Sequence, residues 1–171
     1  MTPSDQALSL FTTGLKNAHA MEKQALSILK PQASRIESYP DMKARIEQHI
    51  SETEQQIQRL ETIFDQVDES HSGFKDMILS VGGAMAALSH AAAGDEVLKD
   101  TFANYAFEHY EIAAYKSLIQ IGDRLALGDA SALLRQTLDE EERMAQWIDE
   151  HIGLVTDQYL VLQKADQQAK R

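Results

Sequence analysis

The chain has 171 residues, enough for one domain with a substantial core. Its 16 basic and 27 acidic side chains leave a net charge of -11, which argues against electrostatic binding to nucleic acid or to an anionic membrane. Cysteine is absent, so disulfides, thiolate metal ligands and thiol catalysis are excluded.

The opening M-T-P-S-D-Q-A-L-S-L-F lacks the basic and apolar regions of a secretory signal. It reads instead as a helix start, with Thr2-Pro3-Ser4-Asp5 forming a capping-box pattern. The first helix carries its apolar stripe through Leu8, Phe11, Leu15, Ala18, Leu26 and Leu29, and Pro31 is expected to end or kink it. A second helix starts near Pro40, with Met42, Ile46, Ile50, Ile57, Leu60, Phe64 and Val67 on one face, and gives way at the polar run Asp68–Gly73. A short helix is expected from about Phe74 to Ala91. Its small residues, Gly82–Ala93, suit close packing against a neighbour, and a homodimer interface is placed there. Gly94-Asp95 punctuates the chain before a third long helix through Val97, Leu98, Phe102, Tyr105, Ile112 and Ile119. Leu127-Gly128-Asp129 is the next stop and start, with Asp129 as the expected cap of a fourth helix through Leu134, Leu138, Met144, Ile148, Ile152 and Val155. The polar tail from about residue 163 is expected to fray. With no run of about 18 apolar residues to span a bilayer, the expectation is an all-α cytoplasmic bundle, residues 1–171 forming a single domain of four long helices and one additional short one.

The chemistry lies in charged residues that fall on apolar stripes. At about 100° per residue, Glu22 lies at the centre of the first helix's stripe and Glu141 at the centre of the fourth's. Unpaired carboxylates there each cost several kcal/mol in desolvation, a cost that falls if they share a cation. On the third helix, Glu108 and His109 each lie roughly 50° from the stripe centre, on opposite sides, and Glu111 about 110° away. On the second, His49, Glu52 and Gln56 follow at i, i+3 and i+7, with His49 nearly in the core and Glu52 at its boundary. The rest of Asp139–Glu142 reads as a solvated acidic face. Carboxylates from four helices with a histidine or two form the pattern that binds two iron or manganese ions inside a bundle. The competing expectation is a metal-free bundle in which the acids join a hydrogen-bond and ion-pair network, with Lys116 compensating a carboxylate.

The pieces A-M-E-K-Q (Ala20–Gln24), H-I-S-E-T-E-Q-Q-I-Q-R-L (His49–Leu60), F-E-H-Y-E-I-A-A-Y (Phe107–Tyr115) and T-L-D-E-E-E-R (Thr137–Arg143) together resemble the YciE/YciF family of ferritin-like bacterial stress proteins. The resemblance spans essentially the whole chain. It implies a ferritin-like four-helix bundle, a homodimer and a stress role, with no established reaction. The site it implies uses Glu22, Glu52, Glu108 or Glu111, and Glu141. The functional expectation placed on these residues is a site for iron or manganese, two ions, that reacts with dioxygen or peroxide. Ferritin-like di-iron proteins place E-x-x-H on the second and fourth helices. Here Gln55 and Met144 stand where those histidines belong, which leaves His49 and His109 as replacements and an oxygen-rich or single-metal site as an alternative.

Overall fold

The computed structural model of the chain describes residues 2–67, 93–165 and 167–170. Four long helices run through them: α1 (Pro3–Arg35), α2 (Pro40–Val67), α3 (Glu96–Arg124) and α4 (Gly128–Lys164). The expected short helix lies outside the described residues, as does the run from Gly82 except for Ala93. Among the described residues no helix is long and apolar enough to cross a membrane.

Contacts between helices set the topology. Lys30 meets Glu54 and His19 meets Glu61, so α1 and α2 are antiparallel. Tyr105 meets Asp149 and Asp123 meets Arg135, so α3 and α4 are antiparallel too. The two hairpins pack α1 against α3 and α2 against α4. Because Arg35 touches Glu96 while Tyr115 reaches back to Glu22, α3 also runs opposite to α1. It follows that α2 and α3 are parallel, with α2 ending at one end of the bundle and α3 beginning at the other. This is the all-α, ferritin-like four-helix bundle that the sequence implies.

The helix ends show why these segments fold where they do. The α1 capping box forms as expected: Thr2 N donates to Asp5 Oδ2 at 2.8 Å and Asp5 N to Thr2 Oγ1 at 3.1 Å. Pro31 does not end α1, which continues to Arg35. The proline forfeits one N–H bond, and the side chains flanking it, Leu29 and Ala33, are buried in the core, where packing outweighs that loss. At the end of α3 the left-handed residue is Ala126 (φ 56), not a glycine. Leu127 N and Ala126 N bond back to Gly122 O and Asp123 O in a Schellman pattern. Consequently α4 starts two residues earlier than expected, at Gly128, and Asp129 sits in its first turn rather than at the cap.

The tail departs from expectation. α4 stays helical to Lys164, and residues 168–169 bond to the loop between α1 and α2. Tyr39 Oη donates to Ala169 O at 2.6 Å, Ser38 Oγ donates to Gln168 O at 2.8 Å, and Val97 N at the start of α3 donates to Lys170 O at 3.1 Å. That last bond serves an N–H that the Asp95 side chain leaves uncapped. Deleting residues 165–171 is therefore expected to lower stability by about 2–3 kcal/mol, roughly one per lost hydrogen bond. Urea unfolding of the truncated chain measures it, and an unchanged midpoint would contradict the tethering role.

The core fills the space between the helices with Phe11, Leu15, Leu29, Ile46, Leu60, Ile63, Leu134 and Ile148. Close approach of α1 and α3 near one end depends on glycine. A Cβ on Gly14 would fall 2.6 Å from the Leu118 side chain, and one on Gly122 would fall 3.2 Å from Phe11. Toward the middle of the bundle the buried face turns polar, and there the candidate site is found.

Candidate metal centre

Each of the four helices sends a buried polar side chain to the same mid-bundle region: Glu22 from α1, His49 from α2, Glu108 and Glu111 from α3, and Glu141 from α4. Their exposures are 1, 1, 1, 1 and 0 %, so no solvent screens them. His49, Glu108, Glu111 and Glu141 each offer one ligand atom, and these atoms all lie within 4.8 Å of one another. Glu22 adjoins them, its charge acting on Glu111 and Glu141 and interacting with His49 and Glu108.

The helical phase explains the convergence. On α3, residues 104, 108, 111 and 115 share one face, and all four are buried. This face is not the one that the large apolar residues suggest. Phe102 is 52 % exposed, and counting it as core rotates the apparent stripe toward His109. His109 is in fact exposed, packed edge-on against Tyr105 at 4.6 Å, and takes no part in the cluster. Glu111, a candidate ligand whose phase also allowed the surface, belongs to the cluster. Lys116 is exposed and pairs with Glu142 at 2.7 Å, so it compensates none of the buried acids.

Glu52 stands outside the ligand cluster and has a different place. His49 Nδ1 donates to Glu52 Oε2 at 3.1 Å, which turns Nε2 toward Glu108 Oε2 at 3.3 Å and Glu141 Oε2 at 3.5 Å. A carboxylate behind a histidine in this way fixes the tautomer and ring orientation that a metal requires. Glu52 is held in turn by Arg45 at 3.0 Å and Gln48 at 2.9 Å. Partial burial opposes its ionisation, but hydrogen bonds from His49, Arg45 and Gln48 prevail and lower its pKa to about 2.

The remaining supports are Tyr115 and Gln56, whose polar groups the sequence places beside the site, and Arg59 and Glu140, to which it assigns no role there. Tyr115, completely buried, donates its hydroxyl to Glu22 Oε1. Glu140, expected on a solvated face, is buried and held by Arg59 through two bonds of 2.6 and 2.8 Å. Gln56 donates its amide to both Glu140 and Glu141, joining the Arg59–Glu140 ion pair to the cluster. Spacing is the signal that marks them: Tyr115 follows Glu111 by four residues, Arg59 follows Gln56 by three, and Glu140 follows Thr137 by three.

The electrostatics of the cluster are unbalanced. Burial pushes Glu22 up to about 8, against the opposing hydrogen bond from Tyr115. Burial, then repulsion from Glu22, Glu141 and Glu108, holds Glu111 well above the carboxylate range. Glu141 is raised mainly by burial, with His49 pulling the other way. Burial alone would depress the His49 imidazole, but Glu108, Glu52 and Glu141 hold it well above its usual value. Glu108 Oε2, Glu111 Oε1 and Glu141 Oε2 are buried and receive no well-directed hydrogen bond. Three buried oxygens without a well-directed donor, clustered beside an imidazole nitrogen, fit a hard or borderline divalent cation. A cleft of about 10 Å³ between α1 and α3, walled by Ala25, Ile28, Ala103 and Phe107, reaches Glu108. It is about the size of one water molecule.

Comparison with known proteins identifies the chain's relatives. Residues 6–161 match the family described as "Domain of unknown function (DUF892)". Protein YciF of Escherichia coli (strain K12) is 32% identical over 139 residues, covering 75% of this chain and 79% of that protein. The chain belongs to the YciE/YciF family. Among solved structures, a protein from Xanthomonas campestris pv. campestris str. ATCC 33913 is 31% identical, superimposes with a TM-score of 0.76, and covers 92% of this chain and 99% of its own. The crystal structure of the E. coli stress protein YciF matches in fold with a TM-score of 0.70 at 20% identity, over 89% of this chain and 96% of its own. The family's description names no activity.

Proposed function

We propose that this YciF-family chain binds two divalent ions, iron or manganese, at the mid-bundle cluster, and that the loaded site oxidises Fe2+ with dioxygen or peroxide. The observation that carries this reading is the set of buried, undonated carboxylate oxygens of Glu108, Glu111 and Glu141 around His49 Nε2. Glu22, Glu108, Glu111, Glu141 and neutral His49 would be the ligands. Their four negative charges balance two divalent ions, while the Arg59–Glu140 and Arg45–Glu52 pairs are already neutral. A bound transition metal would supply one-electron redox chemistry. The protein's own part is to bring the acids together and exclude bulk water, with Tyr115 positioning Glu22 and Glu52 positioning His49. Elemental analysis of protein purified without chelator, followed by titration with Fe2+ and Mn2+, tests the reading. About two equivalents per chain are expected, and failure to take up either ion sinks it.

One observation favours a second reading, a metal-free structural protein. Protons alone can neutralise the cluster, because Glu22, Glu111 and Glu141 all have raised pKa values. The same titration separates the two.

Within the metal reading, Glu52 is a positioning residue. Glu52→Gln is expected to weaken Mn2+ binding about 10- to 100-fold while leaving the number of bound ions unchanged. Loss of one full equivalent would show that Glu52 is itself a ligand. We also infer a homodimer. Its support in the described residues is the exposed apolar surface of α3 (Phe102, Tyr110) and α4 (Leu154, Val161). Sedimentation at micromolar concentration is expected to give twice the chain mass, and a monomer would exclude it.

A further inference from the structure

The cluster has one more buried oxygen without a donor, and it belongs to an amide. Gln56 is 0 % exposed, and its Oε1 receives no hydrogen bond. The orientation of its amide is not ambiguous. Nε2 donates to Glu140 Oε2 at 3.1 Å and to Glu141 Oε1. Both Glu140 oxygens accept from Arg59, so the Gln56 group that faces them is the amide nitrogen. Turning the amide over would set its oxygen against that carboxylate. The carbonyl oxygen is therefore committed to the side away from Glu140, buried and without a proton to accept. On α2, Gln56 lies two turns beyond His49 and on the same face.

An amide carbonyl is a good ligand for hard divalent ions and brings no charge. We propose that Gln56 Oε1 is a neutral oxygen ligand of the ion that Glu141 holds, with the Gln56 amide nitrogen bracing the other oxygen of the same carboxylate. This gives α2 two donors, His49 and Gln56, with Gln56 taking the place expected of Glu52. It also keeps the donor set at four charges, the number that two divalent ions balance. The inference rests on the metal reading of the cluster.

Three proteins separate a ligand from a mere support for Glu141. Gln56→Leu removes both the oxygen and the amide donor, whereas Gln56→Glu removes the donor but keeps an oxygen in place. Each is titrated with Mn2+, the free ion being followed by electron paramagnetic resonance, alongside the parent chain. Melting in chelator shows that each variant is folded. If Gln56→Leu does not fold, Gln56→Asn, which withdraws the amide by one methylene, takes its place. The expected result is that Gln56→Leu or Gln56→Asn binds about 10- to 100-fold more weakly, while Gln56→Glu binds as tightly as the parent or more so. Equal weakening in Gln56→Glu and Gln56→Leu would show that only the amide donor matters and would overturn the proposal. Unchanged binding in both would overturn it as well. If the parent chain takes up no Mn2+, the metal reading itself fails, a result distinct from either.

Discussion

Glu141→Ala is expected to abolish most of the thermal stabilisation that Mn2+ gives the parent protein. A single ion at a thousand times its dissociation constant contributes about 4 kcal/mol to the folded state. For a chain of this length that is a rise in Tm of roughly 8–16 °C. Glu141 stands at the junction of the site: one oxygen is held by Gln56, and the other lies 3.5 Å from His49 Nε2 without a well-directed donor. Removing it takes away a ligand and frees the Gln56 amide together. In chelator the comparison should reverse, with the variant as stable as the parent or more so, because a fully buried acid that must otherwise hold a proton is gone. Glu22→Ala should behave alike. Calorimetric scans of both proteins with and without Mn2+ decide the matter. An equal metal-induced rise in parent and variant would remove Glu141 from the ligand set.

The second large effect is on the pH dependence of stability, which metal should invert. In chelator, Glu22, Glu111 and Glu141 have folded-state pKa values above their unfolded value of about 4.3. Between those limits the folded protein binds more protons than the unfolded chain, so stability falls as pH rises. For Glu22 the window runs up to about 8. Each such group contributes a slope of up to about 1.4 kcal/mol per pH unit. His49 acts in the same direction: its raised pKa gives stability that is complete below about 6.5 and lost as pH climbs through the folded value. Glu52 acts oppositely, giving stability above about 4.3 that is lost as pH falls toward 2. Metal-free protein should therefore be most stable at about pH 4 and weaken steadily toward pH 8. With Mn2+ bound the carboxylates stay ionised, protons compete with the ion, and stability should rise over the same range. Urea midpoints at four pH values, with and without Mn2+, measure both slopes. A flat profile in chelator would mean that the cluster is not charged as described.

The bundle was legible in the sequence because α1, α2 and α4 carry apolar stripes that repeat at the helical period. Glu22 and Glu141 were found for the same reason: each interrupts a stripe whose centre its neighbours define. α3 was harder to read. Its buried face includes Asp100, Thr101, Asn104, Glu108 and Glu111, while Phe102 and Tyr110 lie outside. A phase drawn through the apolar residues alone therefore turned His109 inward and Glu111 outward. Where a site occupies the core, polarity no longer reports exposure, and only the partners of each side chain do. The same limit hid the role of Glu52, which looks like a ligand by family motif but sits behind His49. It hid Glu140 too, because one acid in a run of four carries no mark of the arginine that receives it. The tail was misjudged on different grounds. Its composition is polar, yet what holds it is largely its backbone, bonded to Ser38, Tyr39 and Val97.

That backbone tether has a practical and mechanical consequence. Force applied at the carboxyl end would load the Ala169–Tyr39 and Lys170–Val97 bonds before it reached α4, so the tail would peel away first. A fusion partner or affinity handle joined after Arg171 would begin two residues beyond Lys170, whose carbonyl serves the start of α3. Handles for purification or surface attachment therefore belong at the amino end, where Thr2 is exposed and its capping box needs only residues that follow it.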